Sequence, residues 1–389
     1  MKAAQRQICG LIVVLLFACC VSGLGAKDDP PWRAGSLALS HDGRHLAVLY
    51  LLEYEGERHT EYDLEIWLYD LEQHLTPPRF VEFSVSGGTD IQFSPDNKLL
   101  AIGNYHQLQV FDVASLKPLL KLTNFESETR ADFRWIYFSP DSEYIMAFTD
   151  WWARDHDMHV WKIRTGEKAS RVDARRGQQW IERPWLSPDW NQFFRWREDG
   201  DEAGTIYAFD PETGRGPIQA VLDVGGNGGA AFSPDSALFA ISTRYGEVQV
   251  FETETWNLKN SEELLESTCD EYLSFAFSHR GSLLATTCVR DDRLVVWDFE
   301  LGEVLLQVRC FGSAPQFTPD DSHVVVSTRF SGIQVWNVSE SFELTVFPGR
   351  FPLLHPDGEL MIAIGPDGYV WIWNIRLERL QLILPKFAG

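Results

Sequence analysis

One short turn signature recurs at eight places in this chain, and it constrains the fold more than any other feature. The copies read Ser40-His41-Asp42-Gly43, Ser94-Pro95-Asp96-Asn97, Ser139-Pro140-Asp141-Ser142 and Ser187-Pro188-Asp189-Trp190. They continue as Ser233-Pro234-Asp235-Ser236, Ser278-His279-Arg280-Gly281, Thr318-Pro319-Asp320-Asp321 and His355-Pro356-Asp357-Gly358. Proline presets φ for the first corner of a turn, and a Ser or Asp side chain bonds the backbone there. Asp42 and Asp357 lie 315 residues apart, so the seven intervals average 45 residues. A fixed period of that size marks stacked supersecondary units, none able to bury its apolar face alone.

Each turn joins two apolar strands, and a third strand follows. It ends in an aromatic and usually an acid or amide: Tyr69-Asp70, Phe111-Asp112, Trp161-Lys162, Phe209-Asp210, Phe251-Glu252, Trp297-Asp298, Trp336-Asn337 and Trp373-Asn374. Val248-Gln249-Val250-Phe251 and Ile333-Gln334-Val335-Trp336 alternate as strands do. Segments such as Pro118–Leu122, Glu303–Val308 and Leu380–Leu384 supply a fourth, outer strand. The expected fold is all-β: a single β-propeller of eight four-stranded blades over residues 36–389. A seven-bladed ring is the alternative if the long first repeat is irregular. Residues 27–35 read as a short linker, because Pro30 and Pro31 break any strand there. The ring is therefore not expected to close by borrowing an N-terminal strand.

These turns and strand endings resemble those of the WD-repeat propellers, whose Phe-Ser-Pro-Asp turn and terminal Trp-Asp both appear here in degenerate form. The resemblance covers residues 36–387. It departs from the family in one respect, since no Gly-His dipeptide occurs. The family's His-to-Asp network within each blade is thus not expected, and the TolB-like and YVTN-like propellers share the same turn. The resemblance implies a binding scaffold in which the B–C and D–A connections emerge on one face of the ring.

The N-terminus reads as an address. Lys2 and Arg6 precede an apolar run, Ile8–Val21, and small residues follow through Ala26. Residues 1–26 are expected to be a signal peptide or membrane-targeting segment, with a loose lipobox that makes lipidation at Cys19 an option. The expected location is outside the cytoplasm: periplasmic, secreted or at the cell surface. A membrane would be touched only through this segment. Of six cysteines, Cys269, Cys288 and Cys310 lie beyond it. An odd, sparse count does not describe a disulfide framework, and buried inert thiols are expected. The net charge of −22 repels phosphate backbones, so nucleic acid is not an expected partner.

No catalytic signature is present: no G-x-S-x-G elbow, no phosphate-binding glycine loop, no H-E-x-x-H. A quinoprotein docking motif is matched only in its first half, from Ala208 to Gly214, with Ile218 where Trp is required. Asp155-His156-Asp157-Met158-His159 could hold a metal ion, but His159 opens a strand, where residues three apart face opposite sides. The acidic run Glu198–Glu202 lacks EF-hand spacing and reads as an exposed turn. Neither a metal nor a cofactor is expected.

Eight of the 15 Trp fall between Trp135 and Trp196. Trp161 holds a core position, and Trp135 and Trp185 lie on or beside inner strands. Trp151, Trp152 and Arg154 fall in a B–C loop, and Arg175, Arg176 and Trp180 in the following D–A connection. Trp and Arg dominate binding hot spots because they bury area and also hydrogen-bond. These six residues are the candidate site of a non-catalytic, monomeric propeller that binds a protein or peptide. The alternatives are a channel-centred enzyme or cofactor-binding propeller of quinoprotein or lyase type, and a carbohydrate-binding propeller.

Overall fold

A computed structural model describes residues 33–55, 60–73, 77–84, 90–103, 107–122, 133–149, 157–173, 185–196, 203–223, 229–243, 246–264, 273–288, 293–310, 312–328, 332–340 and 342–384. They form eight antiparallel sheets of four strands each, and every sheet takes its strands consecutively from the sequence. The blades span residues 33–84, 90–122, 133–173, 185–223, 230–263, 273–309, 312–347 and 350–384. The eight-bladed expectation holds. The first strand is Arg33–Leu39, so it begins inside the stretch read as linker. The outer strand of blade 8 is Arg379–Leu384, supplied by its own repeat as the sequence suggested.

The four strands of a blade run A to D from the axis outward. Strands A of successive blades adjoin at most seams, whereas strands D come close at the seam of blades 3 and 4. Eight apolar clusters fill the ring, and each joins two neighbouring blades. The alternation along each strand supplies apolar residues to both faces of the sheet, one face per neighbour. The last cluster sets Leu46, Val48, Tyr50 and Trp67 of blade 1 against Ile362, Ile364, Val370 and Ile372 of blade 8. The ring thus closes by face packing, not by a shared sheet.

All eight A–B turns have the same geometry. The fourth turn residue is left-handed in every copy, with φ between 60° and 75° at Gly43, Asn97, Ser142, Trp190, Ser236, Gly281, Asp321 and Gly358. Each is a type I turn closed by a left-handed residue, the form that suits a hairpin with one bulged position. The Ser94 hydroxyl donates to Asp96 Oδ1 at 2.6 Å and accepts the Leu99 N–H at 2.9 Å, and five other blades repeat both bonds with Ser or Thr.

Candidate interaction surface

The two ends of the ring differ in how they are built. At the A–B/C–D end, turns of adjoining blades hold one another at five of the eight seams among the described residues. The fourth-position side chain of one blade accepts backbone N–H groups from the turn of the blade before it. Asn97 Oδ1 takes His41 N–H at 2.7 Å, Ser236 Oγ takes Asp189 N–H at 3.0 Å, and the Asp321 carboxylate takes His279 and Arg280 N–H at 2.7 and 3.0 Å. Gly43 in blade 1 has no side chain with which to reach back to blade 8. There the bond runs the other way: His355, standing where the other turns carry Ser or Thr, approaches Gly43 O through Nε2 at 3.0 Å.

A second set of bonds ties outer strands to the C–D turn of the next blade. The Arg79 guanidinium donates to Val113 O at 2.8 Å and to Ala114 O, Ser170 Oγ to Pro211 O at 2.8 Å, and Asn260 Nδ2 to Phe299 O at 2.7 Å. The terminal acid or amide of the third strand caps its own C–D turn. Asp112 accepts from Ser115, Asp298 from Glu300 and Leu301, and Asn374 from Leu377. Partial burial works against ionisation of Asp42, Asp96 and Asp320, but hydrogen bonds from the turn outweigh it and hold all three below the usual carboxylate range. For Asp320 the Ser322 and Thr318 hydroxyls bring the carboxyl down to about 2. This end is a braced plate.

The B–C and D–A connections leave from the other end, and their lengths vary widely. The D–A connection is ten residues (123–132) into blade 3 and eleven (174–184) into blade 4, but two (310–311 and 348–349) into blades 7 and 8. Residues 150–156 join strands B and C of blade 3, so the B–C assignment for Trp151, Trp152 and Arg154 agrees with the topology, as does the D–A assignment for Arg175, Arg176 and Trp180. All six lie outside the described residues, as do Glu198–Glu202.

Around them, the described tryptophans are core. Trp161 and Trp190 are buried, Trp190 edge-on to Phe209 at 5.9 Å. Trp135 and Trp185 are half-buried, edge-on to Phe148 and Phe194. His159 is buried in strand C of blade 3 and stacks on Trp161 at 5.7 Å. Burial, reinforced by nearby Lys168 and Arg171, pushes it down to about 3, so it is neutral across the working pH range. Among the described residues no group of three or more His, Cys, Asp or Glu could hold a metal ion.

One expectation about cysteine is corrected. Cys310 keeps a buried thiol, but Cys288 is disulfide-bonded to a residue outside the described ones. An odd count leaves one thiol over without preventing a single bridge. Cys288 ends strand B of blade 6 opposite Leu273, where the 265–272 connection, which contains Cys269, enters the blade.

The inner strands carry features that sequence reasoning missed. Strands A of blades 3, 7 and 8 each hold a β-bulge with a left-handed, non-glycine residue: Trp135, Ala314 and Phe351, at φ 49°, 52° and 55°. Backbone groups freed by the bulges are caught across the seams. Ile136 N–H donates to Asp90 Oδ2 at 2.8 Å, and Gln316 Nε2 donates to Pro352 O at 3.0 Å. Asp90 is an acid on an inner strand, and its carboxylate is engaged by Ile91 and Ile136 N–H. Phe351 is 58% exposed, with the Arg350 guanidinium 5.5 Å from its ring centre.

Closed ring, blade topology and turn geometry define an eight-bladed β-propeller of WD-like repeats. Solved β-propeller structures superpose on it. Sqt1 of Chaetomium thermophilum matches with a TM-score of 0.62 at 15% identity, over 89% of this chain and 96% of that one. The Cps50 (Swd1) β-propeller domain of Myceliophthora thermophila matches with a TM-score of 0.53 at 13% identity, over 75% of this chain and 98% of that one. At such identities the likeness is one of fold. No family model matches the sequence, and no curated protein does.

Proposed function

We propose that this protein is a non-catalytic, exported propeller that binds a protein or peptide at its B–C/D–A end. The observation that carries this reading is the asymmetry of the two ends. One end is braced turn to turn at most seams by the bonds described above, and the other bears connections of two to eleven residues. Loops on a rigid scaffold are where binding function is free to vary. Trp151, Trp152 and Arg154 on one connection and Arg175, Arg176 and Trp180 on the next supply the hot-spot residue types. Export is supported by the charged, apolar and small-residue order of residues 1–26 and by the bridge at Cys288, since disulfides persist in oxidising compartments.

The test is affinity capture from native extract with the mature chain and with a Trp152→Ala/Arg176→Ala variant, read by mass spectrometry. The variant should lose the captured partner while its melting temperature stays unchanged. Equal capture by both chains, or a melting temperature that falls with capture, overturns the assignment of those residues.

A further inference from the structure

Blades 7 and 8 enter the ring by the same device, and comparing them isolates one side chain that the fold does not require. Gly312-Ser313-Ala314-Pro315-Gln316-Phe317-Thr318-Pro319-Asp320 and Gly349-Arg350-Phe351-Pro352-Leu353-Leu354-His355-Pro356-Asp357 align without a gap. Strand A of each blade follows a two-residue D–A connection, both strands bulge at the same place, and both put the residue before proline in the left-handed region. Blade 7 makes this bend with alanine. Blade 8 makes it with phenylalanine, although a bulky side chain is disfavoured at positive φ. The other aromatic in such a bulge, Trp135, packs into the cluster between blades 3 and 4. Phe351 belongs to no core cluster and stands 58% exposed.

Strand A is flanked by neighbouring blades on both faces and by strand B along one edge. An exposed ring on it therefore faces the axis of the ring or its rim. Beside it Arg350 is also exposed, its guanidinium 5.5 Å from the ring centre, and it forms no ion pair with a carboxylate among the described residues. In a chain of net charge −22, an arginine with no acid partner among the described residues, set on an exposed aromatic, is a local cationic spot. Long D–A connections enter blades 3 and 4, whereas the connection into this blade is two residues long.

We propose that Arg350 and Phe351 form a subsite for an extended peptide bearing a carboxylate next to an apolar side chain. Arg350 takes the carboxylate through charge-assisted hydrogen bonds, and Phe351 packs against the apolar neighbour. Bulges re-aim side chains, and strained backbone persists where it serves a site. The subsite rests on the reading that the B–C/D–A end binds a peptide.

The experiment uses the full mature chain and two synthetic octapeptide pools that differ only in a central Glu-Phe or Gln-Phe pair, with binding read by fluorescence polarisation. The wild-type chain should prefer the Glu-Phe pool by at least about fivefold, since charged hydrogen bonds exceed neutral ones. Arg350→Gln should abolish that preference. Phe351→Ala, which copies blade 7, should weaken both pools about tenfold with a thermal midpoint no lower than wild type. No preference in the wild-type chain, or a preference that survives in Arg350→Gln, overturns the subsite. Loss of native capture in the Trp152→Ala/Arg176→Ala variant together with absent pool preference would remove the subsite and leave the binding end standing. Unchanged native capture together with a preference that depends on Arg350 would keep the subsite and remove Trp152 and Arg176 from the binding surface.

Discussion

Ring closure between blades 8 and 1 can be tested at a single methyl group. Gly43 sits at φ 75°, and a Cβ there would lie 2.4 Å from His355 Nε2 and 2.7 Å from its Cε1. Gly281 occupies the same turn position in blade 6 at φ 74°, and a Cβ there meets nothing within 4 Å. Gly281→Ala therefore carries only the cost of an L-residue in the left-handed region, about 1–2 kcal/mol. Gly43→Ala carries that cost and also pushes the imidazole off Gly43 O, which removes a hydrogen bond worth about 1 kcal/mol. The ring belongs to a side chain, so it can rotate away, and the total should stay near 2–3 kcal/mol. Equilibrium urea unfolding of both variants, with and without His355→Ala, measures the difference. In the His355→Ala background Gly43→Ala should cost no more than Gly281→Ala. Equal costs in the presence of His355 would refute the claim that this contact braces the seam between blades 8 and 1.

Other outcomes follow from burial and charge. His159 has a folded pKa depressed to about 3, against 6.5 for the free side chain, so its contribution is fully present above pH 6.5 and falls as pH drops toward 3. His159→Gln should flatten the loss of stability between pH 7 and 5 in thermal scans. Asp320 is depressed to about 2 from 3.8, so its contribution is present above pH 3.8 and lost as pH falls through 2. The gap in thermal midpoint between wild type and Asp320→Asn should therefore narrow from pH 4 to pH 2. Trp297 is fully buried in the cluster between blades 5 and 6, and Trp297→Ala should cost about 3–5 kcal/mol in urea unfolding. On the proposed export, with the chain cleaved after Gly23 or Ala26, thiol titration of the denatured mature chain should find one reactive thiol before reduction and three after it.

The repeats were legible because each turn carries its own instructions. Ser94 and Asp96 bond within six residues of chain, so the pattern survives in sequence whatever the neighbouring blade does. Outer strands were legible where apolar alternation is local, as in Pro118–Leu122, which the structure reproduces residue for residue. Contacts made between repeats were not. His355 looks like a defect in the eighth turn until Gly43, 312 residues away, is set beside it. Phe351 looks like an ordinary strand aromatic until the bulge turns it outward. Cys288 was misread because parity describes a framework of bridges and says nothing against a single one. The alignment of residues 312–320 with 349–357 was the available signal for the Phe351 corner, since it exposes an Ala-to-Phe change at a fixed backbone position.

The braced end also explains why variation concentrates at the other. An A–B turn must satisfy its own hairpin and, at most seams, the turn of the adjoining blade. A substitution at Asn97, Ser236 or Asp321 therefore disturbs two blades at once. A D–A connection makes no such demand, since two residues suffice to enter blade 8 and eleven are tolerated on entering blade 4. Loop closure grows more costly only slowly with length, by about 0.6 kcal/mol per doubling, so that end of the ring carries length variation at little expense in stability. Residue types placed there are then free to answer to a partner. The same reasoning sets the Phe351 corner apart, because it lies on a strand whose backbone path alanine serves equally well in blade 7.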